Sequence, residues 1–438
     1  MPDSPEASFL CGRETIRLTL PPASQVFAPA YPPALASAAA QVMAAVGAPV
    51  DGPRLVDALR GRRNGRVVVV VSDITRPIPY ATFLPELLAA LESGGVGADE
   101  ILILIATGMH RPSTSEERLA MFGAAVVQRY RIEDHRAEDA AGLADVPGAS
   151  ASGRRVRLNR HYVEAGFRLV TGLVEPHFMA GFSGGRKAIC PGLASLDTVG
   201  TFHGADFLGN PGAANTRLAG NPLHAEALSV ARLCPPDFTL NLVLDQQRRI
   251  ARAYAGGLEA AHAAACEFVS ACARRPVTCP ADVVVTSSGG HPLDTTFYQC
   301  VKGLVSCLPA VRPGGIIIAF GGCREGVGSP EYAATMREFS GRWEEFLAHI
   351  RQPGVFTKDQ WQFQMHARAL RKVGVERLHF VTDGLSAEVL AGLSVHGHSA
   401  ATGTTQSVVQ QLLDGMSSGG ARVAAFPEGP YCLPTGPD

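Results

Sequence analysis

The chain has almost no net charge: 39 basic residues stand against 40 acidic ones among 438, a formal charge of -1. No global field therefore draws it toward nucleic acid or an anionic membrane surface. Long apolar runs are missing too. VVVVV at 67–71 and ILILIA at 101–106 are too short to cross a bilayer as helices and read as buried strands. The opening MPDSPEASFLCGRET carries acidic residues where a signal peptide would have its basic region, and no apolar stretch follows; the expected location is the cytoplasm. Ten cysteines are scattered singly, without a C-x-x-C pair or a zinc-like grouping with histidine, which sets aside a disulfide framework and leaves reduced, mostly buried thiols. No G-x-G-x-x-G directly follows a strand pattern, so an ordinary dinucleotide oxidoreductase ranks low. There is no internal repeat and no long low-complexity linker.

What is present is a series of buried-strand patterns, each running at once into a loop rich in glycine, proline or polar residues. RVVVVV leads to SDITRPIP, EILILIA to TGMHRPST, FRLVTGL to VEPHFMAGFSGGRK, DVVVTSS to GGHPLD, and GIIIAF to GGCREG. FLPELLAALES between the first two strands has the apolar spacing of an amphipathic helix. Strand, helix, strand in that order favours a parallel sheet with a right-handed crossover, and ligands of such sheets collect beyond the carboxyl ends of the strands. Thr114 and Glu117 have capping-box spacing, and Asn221 before Pro222 marks another helix start. A break near ARRPVTCPAD separates an N-terminal α/β domain over 1–272 from a smaller α/β domain over 273–420. Residues 421–438, with the strand ARVAAF and a proline- and glycine-rich tail, are expected to pack back on the N-terminal domain.

Three histidines lie in the unusual loops: His110, His177 and His203. Taken alone, each reads as a hydrogen-bonded structural imidazole; three in post-strand loops point to proton transfer or transition-metal ligation. His291 has no further support, and the other nine of the 13 histidines are set aside as residues of helices, tails or generic loops. GFSGGRK fails the P-loop pattern, because Arg186 stands where its second glycine should be and Ala188 where its hydroxyl should be. What remains is Gly181, Gly184 and Gly185, which allow close backbone approach to a bulky or anionic group, with the amine of Lys187 beside them; a tight turn with a solvated lysine reads equally well. Arg76 and Lys302 can each meet a carboxylate. Tyr298, Gln299 and Lys302 share one side of a helix beginning in DTTFYQCVKG, and Trp361 is otherwise an ordinary core tryptophan. The loop after Arg76 carries Tyr80 and Phe83 and no extra cation, which disfavours a substrate with a second carboxylate.

In this order, SDITRP, ATGMHRPST, EPHFMAGFSGGRK, the downstream His203, HPLDTTFYQCVKG and DQWQFQ together resemble the nickel-pincer lactate racemase family, from about residue 66 to the C-terminal strand. The resemblance implies two α/β domains with mainly parallel sheets flanked by helices and an active site in the cleft between them. It implies nickel held by a pyridinium-3,5-bisthiocarboxylic acid mononucleotide, joined to Lys187 as a thioamide, with His203 as a metal ligand. Asp73, Ile74, Thr75 and Arg76 match the family's cofactor-binding loop, with Gly184, Gly185 and Trp361 as further cofactor neighbours. His110 and His177 match its acid–base pair, and Arg76, Tyr298, Gln299 and Lys302 match substrate contacts. The implied reaction is racemisation or epimerisation of a 2-hydroxy acid, lactate by default: the α-hydrogen leaves as hydride to the pyridinium ring, then returns on the other face. Two histidines are wanted because the hydroxyl proton must be handled on either hand. Malate, aromatic 2-hydroxy acids and C2 of sugar acids are alternative substrates, and a non-catalytic binding protein is the remaining alternative. The implied partners are the small acid and the enzymes that mature the cofactor.

Overall fold

The computed structural model describes residues 4–436; the first three residues of the N-terminal stretch and the last two of the expected 421–438 tail lie outside the described residues. The chain divides into two compact units. One contains Tyr31–His203 and Asn210–Cys272; the other contains the residues up to Ala30, Gly204–Gly209, and those from Ala273 onward.

The first unit is built on strands β1 (Val67–Ser72), β2 (Ile101–Ala106), β3 (Arg131–Asp134), β4 (Phe167–Leu173), β5 (Phe238–Leu244) and β6 (Ile250–Gly256), in the spatial order β6-β5-β4-β1-β2-β3. All pairs are parallel except β5 with β6. The five valines of β1 are all at 0% exposure. A strand can be apolar at every position only when both faces of its sheet are covered, so the unbroken run is the signature of a parallel sheet. Part of that cover is helix α1 (Leu84–Ser93), whose Leu84, Leu87, Leu88 and Leu91 recur at helical spacing and pack into the same core as alternate residues of β1 and β2. The expected cap at Thr114 is a full capping box with Glu117, and Asn221 Oδ1 accepts the N–H groups of Leu223 and His224.

The sheet's order positions the loops that matter. From β1 the chain builds outward through β2 and β3, then returns to place β4 on the other side of β1. The direction of building reverses between β1 and β4, so their carboxyl ends flank a crevice of the kind that takes ligands in open α/β sheets. The mouth of β1 is pinned from within. Ser72 N–H donates to the Tyr80 hydroxyl (2.7 Å), which donates to Thr171 Oγ1 (2.9 Å), which donates to the Val70 carbonyl (2.8 Å). Each buried polar group in this chain has a partner, and burial pushes the Tyr80 phenol up to about 12.

The second unit carries β7 (Ala281–Ser287), β8 (Val311–Phe320), β9 (Leu378–Thr382), β10 (His396–Ser399) and β11 (Val423–Phe426), ordered β10-β9-β8-β7-β11 and extended past β11 by Gln25–Val26; every pair is parallel. Mainly parallel sheets flanked by helices agree with the sequence reading. Two features add to it. The N-terminal 30 residues belong to this second unit, because the hairpin Glu6–Cys11/Glu14–Thr19 buries every other side chain and packs Phe9, Ile16 and Leu18 with Val283, Val285 and Phe320. The C-terminal strand and tail also stay here: β11 pairs with β7, and Leu433–Thr435 pairs with Arg274–Pro276. Backbone groups at those positions find their partners in the second unit. Among the described residues, no helix is long and apolar enough to cross a membrane, and none of the ten cysteines is in a disulfide.

Replacing Tyr80 by phenylalanine removes the central member of the Ser72–Tyr80–Thr171 chain and strands the Ser72 N–H. The expected loss is about 1–3 kcal/mol of unfolding free energy, read as a lower urea midpoint at unchanged slope.

Candidate active site

Three adjacent strands deliver the sequence-singled residues from their carboxyl ends: β1 releases Asp73–Arg76, β2 releases the loop with His110, and β4 releases the loop with His177 and Lys187. Asp73 is only 6% exposed. Its Oδ1 accepts from the N–H and hydroxyl of Thr75 (3.2 and 2.6 Å), and its Oδ2 accepts from His110 Nδ1 at 2.5 Å. Burial alone would raise the carboxyl's pKa, but the charge and hydrogen bond of His110, the Thr75 hydroxyl and nearby Arg76 outweigh it and hold the group below the usual carboxylate range. The His110 side chain is about half exposed, at 48%. With Nδ1 committed to Asp73, Nε2 is the nitrogen left to exchange a proton.

The β4 loop opens with a tight pairing of Pro176–His177 against Gly181–Phe182. His177 Nδ1 accepts the N–H groups of Met179 and Ala180, each at 3.2 Å, and Nε2 lies 2.7 Å from Lys187 Nζ. The two amides fix the orientation of the ring and leave Nε2 toward Lys187. Lys187 also lies over the Phe202 ring (5.9 Å to its centroid), and Phe202 meets the His203 ring edge-on at 4.7 Å.

His203 caps the C-terminal end of helix α2 (Leu196–Phe202). It is buried, its Nδ1 donates to the Val199 carbonyl at 3.2 Å, and burial together with the Lys187 charge pushes its pKa down to about 3. A neutral imidazole with Nδ1–H anchored presents Nε2 as a ligand atom, the form a transition metal requires. The donor set passes a chemical test for the implied group: a primary amine for covalent attachment and an unprotonated imidazole for nickel, with Phe202 touching both.

Gly184 and Gly185 have positive φ (72° and 50°), and a Cβ would lie 2.7 Å from Val174 Cγ2 at Gly184 and 2.6 Å from the His262 ring at Gly185. The Gly185 amide is already donated to Asn241 Oδ1. Internal packing against β4, β5 and His262 accounts for glycine at both positions. Arg186, 1% exposed, donates to the Ala180 carbonyl and to His262 Nε2; it fastens the loop that carries Lys187. Tyr80 and Phe83 are both at 0% exposure, so these two rings say nothing about a second substrate carboxylate. Ile74, by contrast, is an exposed apolar side chain at the tip of the Asp73 loop.

In the second unit, Thr296 caps helix α3 (Phe297–Ser306), which carries Tyr298, Gln299 and Lys302 as the spacing predicts. Gln299 Oε1 is buried and accepts no hydrogen bond, an arrangement that costs free energy unless a ligand satisfies it. Trp361, on helix α4 (Gln360–Val373), is 3% exposed and donates its indole N–H to the Tyr298 hydroxyl at 2.7 Å. Its place is behind Tyr298, in keeping with the core-packing alternative.

Comparison with known proteins decides the family. Residues 11–216 match the model of the lactate racemase N-terminal domain, and residues 277–429 match that of the lactate racemase C-terminal domain. The chain belongs to the lactate racemase family. It is 37% identical to the lactate racemase of Thermoanaerobacterium thermosaccharolyticum and 36% identical to that of Lactiplantibacillus plantarum, each over 74% of this chain and 75% of the relative. The apoprotein structure of the former superposes with a TM-score of 0.87 at 30% identity, covering 98% of this chain and all of that one. A Thermotoga maritima protein shares the fold at 19% identity, with a TM-score of 0.68 over 87% of this chain and 96% of that one. This lactate racemase family member is thus an enzyme of the isomerase class.

The Asp73 carboxylate has a depressed folded-state pKa, so its contribution to stability is complete above the ordinary value of 3.8 and is lost as pH falls through the lower folded value. Asp73→Asn is expected to cost about 1–3 kcal/mol at neutral pH. That deficit should shrink below the ordinary carboxylate value, in denaturation curves recorded from neutral to acid pH.

Proposed function

We propose that the chain inverts the C2 centre of a 2-hydroxy acid, with lactate as the first substrate to test. The observation that carries this reading is one constellation within the first unit. A carboxylate-oriented His110, a His177 facing Lys187, and a buried neutral His203 beside the same lysine all belong to a chain of the lactate racemase family.

On this reading Lys187 holds a pyridinium-3,5-bisthiocarboxylic acid mononucleotide and His203 ligates its nickel, while the exposed Ile74 and neighbouring Thr75 and Arg76 border it. The bound group would supply a reversible acceptor for the hydride from the substrate's α-carbon. The protein's residues do the rest. His110, through Nε2, takes the hydroxyl proton from one enantiomer. His177, whose ring is fixed by two backbone amides, serves the other hand through its own Nε2. Asp73 steadies His110 as it becomes charged. Arg76, Tyr298, Gln299 and Lys302 are assigned to the substrate; the unpaired Oε1 of Gln299 suits a hydroxyl donor, and the cations suit a carboxylate. Cofactor-maturation enzymes are the implied protein partners, and ten cysteines without a disulfide support a reducing, cytoplasmic location.

The test uses protein matured together with those partner enzymes and a single enantiomer of lactate deuterated at the α-carbon. Optical activity should decay with the label retained on carbon, and His110→Ala should slow inversion by about 100-fold or more. Lys187→Ala should lose both turnover and the mass of the attached group. Wash-out of deuterium into water, or no inversion of lactate or of a panel of other 2-hydroxy acids, would refute the reading.

A further inference from the structure

Three histidines outside the candidate active site converge on one edge of the second unit's sheet. His379 on β9 is the register partner of His396 on the edge strand β10, and His398 lies two residues further along β10, on the same face. His379 Nδ1 is 3.0 Å from His398 Nε2, and the His396 and His398 rings stack at 4.9 Å with planes 7° apart. One nitrogen from each of the three rings falls within 4.8 Å of the others. His379 is buried, His398 half-buried and His396 exposed.

We infer that His379, His396 and His398 form a second metal site, one that takes a divalent transition ion such as zinc, nickel, cobalt or copper. Tetrahedral coordination with metal–nitrogen bonds of about 2.0–2.1 Å separates ligand nitrogens by roughly 3.3 Å. Small rotations of the two rings on the edge strand reach that spacing from the observed one. An all-imidazole set selects borderline transition metals over calcium or magnesium, which prefer oxygen. Glu376, whose carboxylate is 3.6 Å from His396 Nδ1, is placed to orient that ring or to complete the shell with water. The ion would clip β10, whose outer edge is unpaired, to β9.

The site is independent of the racemase reading. His379 and His396 lie at the amino-terminal ends of β9 and β10 with His398 two residues on, whereas α3 with Gln299 follows the carboxyl end of β7, and His203 belongs to the other unit.

The experiment titrates chelator-stripped, full-length, cofactor-free protein with zinc chloride alone, followed by calorimetry and by metal analysis after gel filtration. The zinc and cobalt measurements are made in a His203→Ala background, so that the proposed nickel ligand does not contribute, and racemase activity is measured with His203 intact. One zinc per chain is expected, with a rise in melting temperature on binding. His396→Ala together with His398→Ala should weaken that binding by about 100-fold or more and abolish the thermal shift. His396 is exposed and His398 half-buried on an edge strand, and the metal-free melting temperature of the double variant checks its folding. Cobalt in place of zinc should give visible absorption bands in the parent and none in the double variant. Zinc binding unchanged by the double substitution, or no stoichiometric zinc in the parent, would overturn the inference. Racemase activity of the matured double variant should be retained whichever acid proves to be the substrate.

Discussion

The arrangement depends on one charge-assisted hydrogen bond, from His110 Nδ1 to the buried carboxylate of Asp73. A carboxylate with so little solvent stays ionised only where donors replace the water it has lost. Here the donors are an imidazole, a hydroxyl and a backbone amide. The bond fixes the tautomer and the direction of a histidine that is otherwise half exposed on a loop. It also joins the mouths of two neighbouring strands, since Asp73 follows β1 and His110 follows β2. The sheet supplies rigidity where the loops cannot: β1 is buried on both faces, and Tyr80 ties its last turn back to β4.

A second cluster is built with different physics. Lys187 is an amine packed among His177, Phe202 and the His203 ring, on a loop held by the buried Arg186 and by two glycines in conformations that side chains resist. His203 is kept neutral by burial, whereas Asp73 is kept charged by its donors. Two opposite solutions to desolvation thus lie on one sheet, one suited to moving protons and the other to holding a soft metal centre.

Much of this was legible in the sequence, for identifiable reasons. VVVVV and ILILIA announce strands buried on both faces because alternation is absent, and the Thr114–Glu117 and Asn221–Pro222 signals are local, so neighbouring residues suffice to read them. His110, His177 and Lys187 stood out because they follow strand patterns, whereas His203, read as a loop residue, ends helix α2. What stayed hidden depends on contacts between distant segments. Asp73 is separated from His110 by a helix and a strand, so its role as the orienting partner could not be read from spacing. Gly184 and Gly185 looked like a cradle for a ligand; only the positions of Val174 and His262 show that the protein itself fills the space. The N-terminal hairpin alternates as a half-buried strand pair should, yet nothing local says which sheet completes its core. His379, His396 and His398 were passed over because strand pairing brings them together, not proximity along the chain.

The central claim is that Asp73 holds His110 as its Nδ1–H tautomer. Nitrogen-15 histidine labelling with proton-detected NMR of the full-length protein reads this directly. A strongly downfield Nδ1 proton assigned to His110, present in the parent and absent in Asp73→Asn while the other histidine signals keep their positions, is the predicted result. A His110 ring protonated at Nε2 alone, or an Nδ1 signal indifferent to the substitution, would contradict the account.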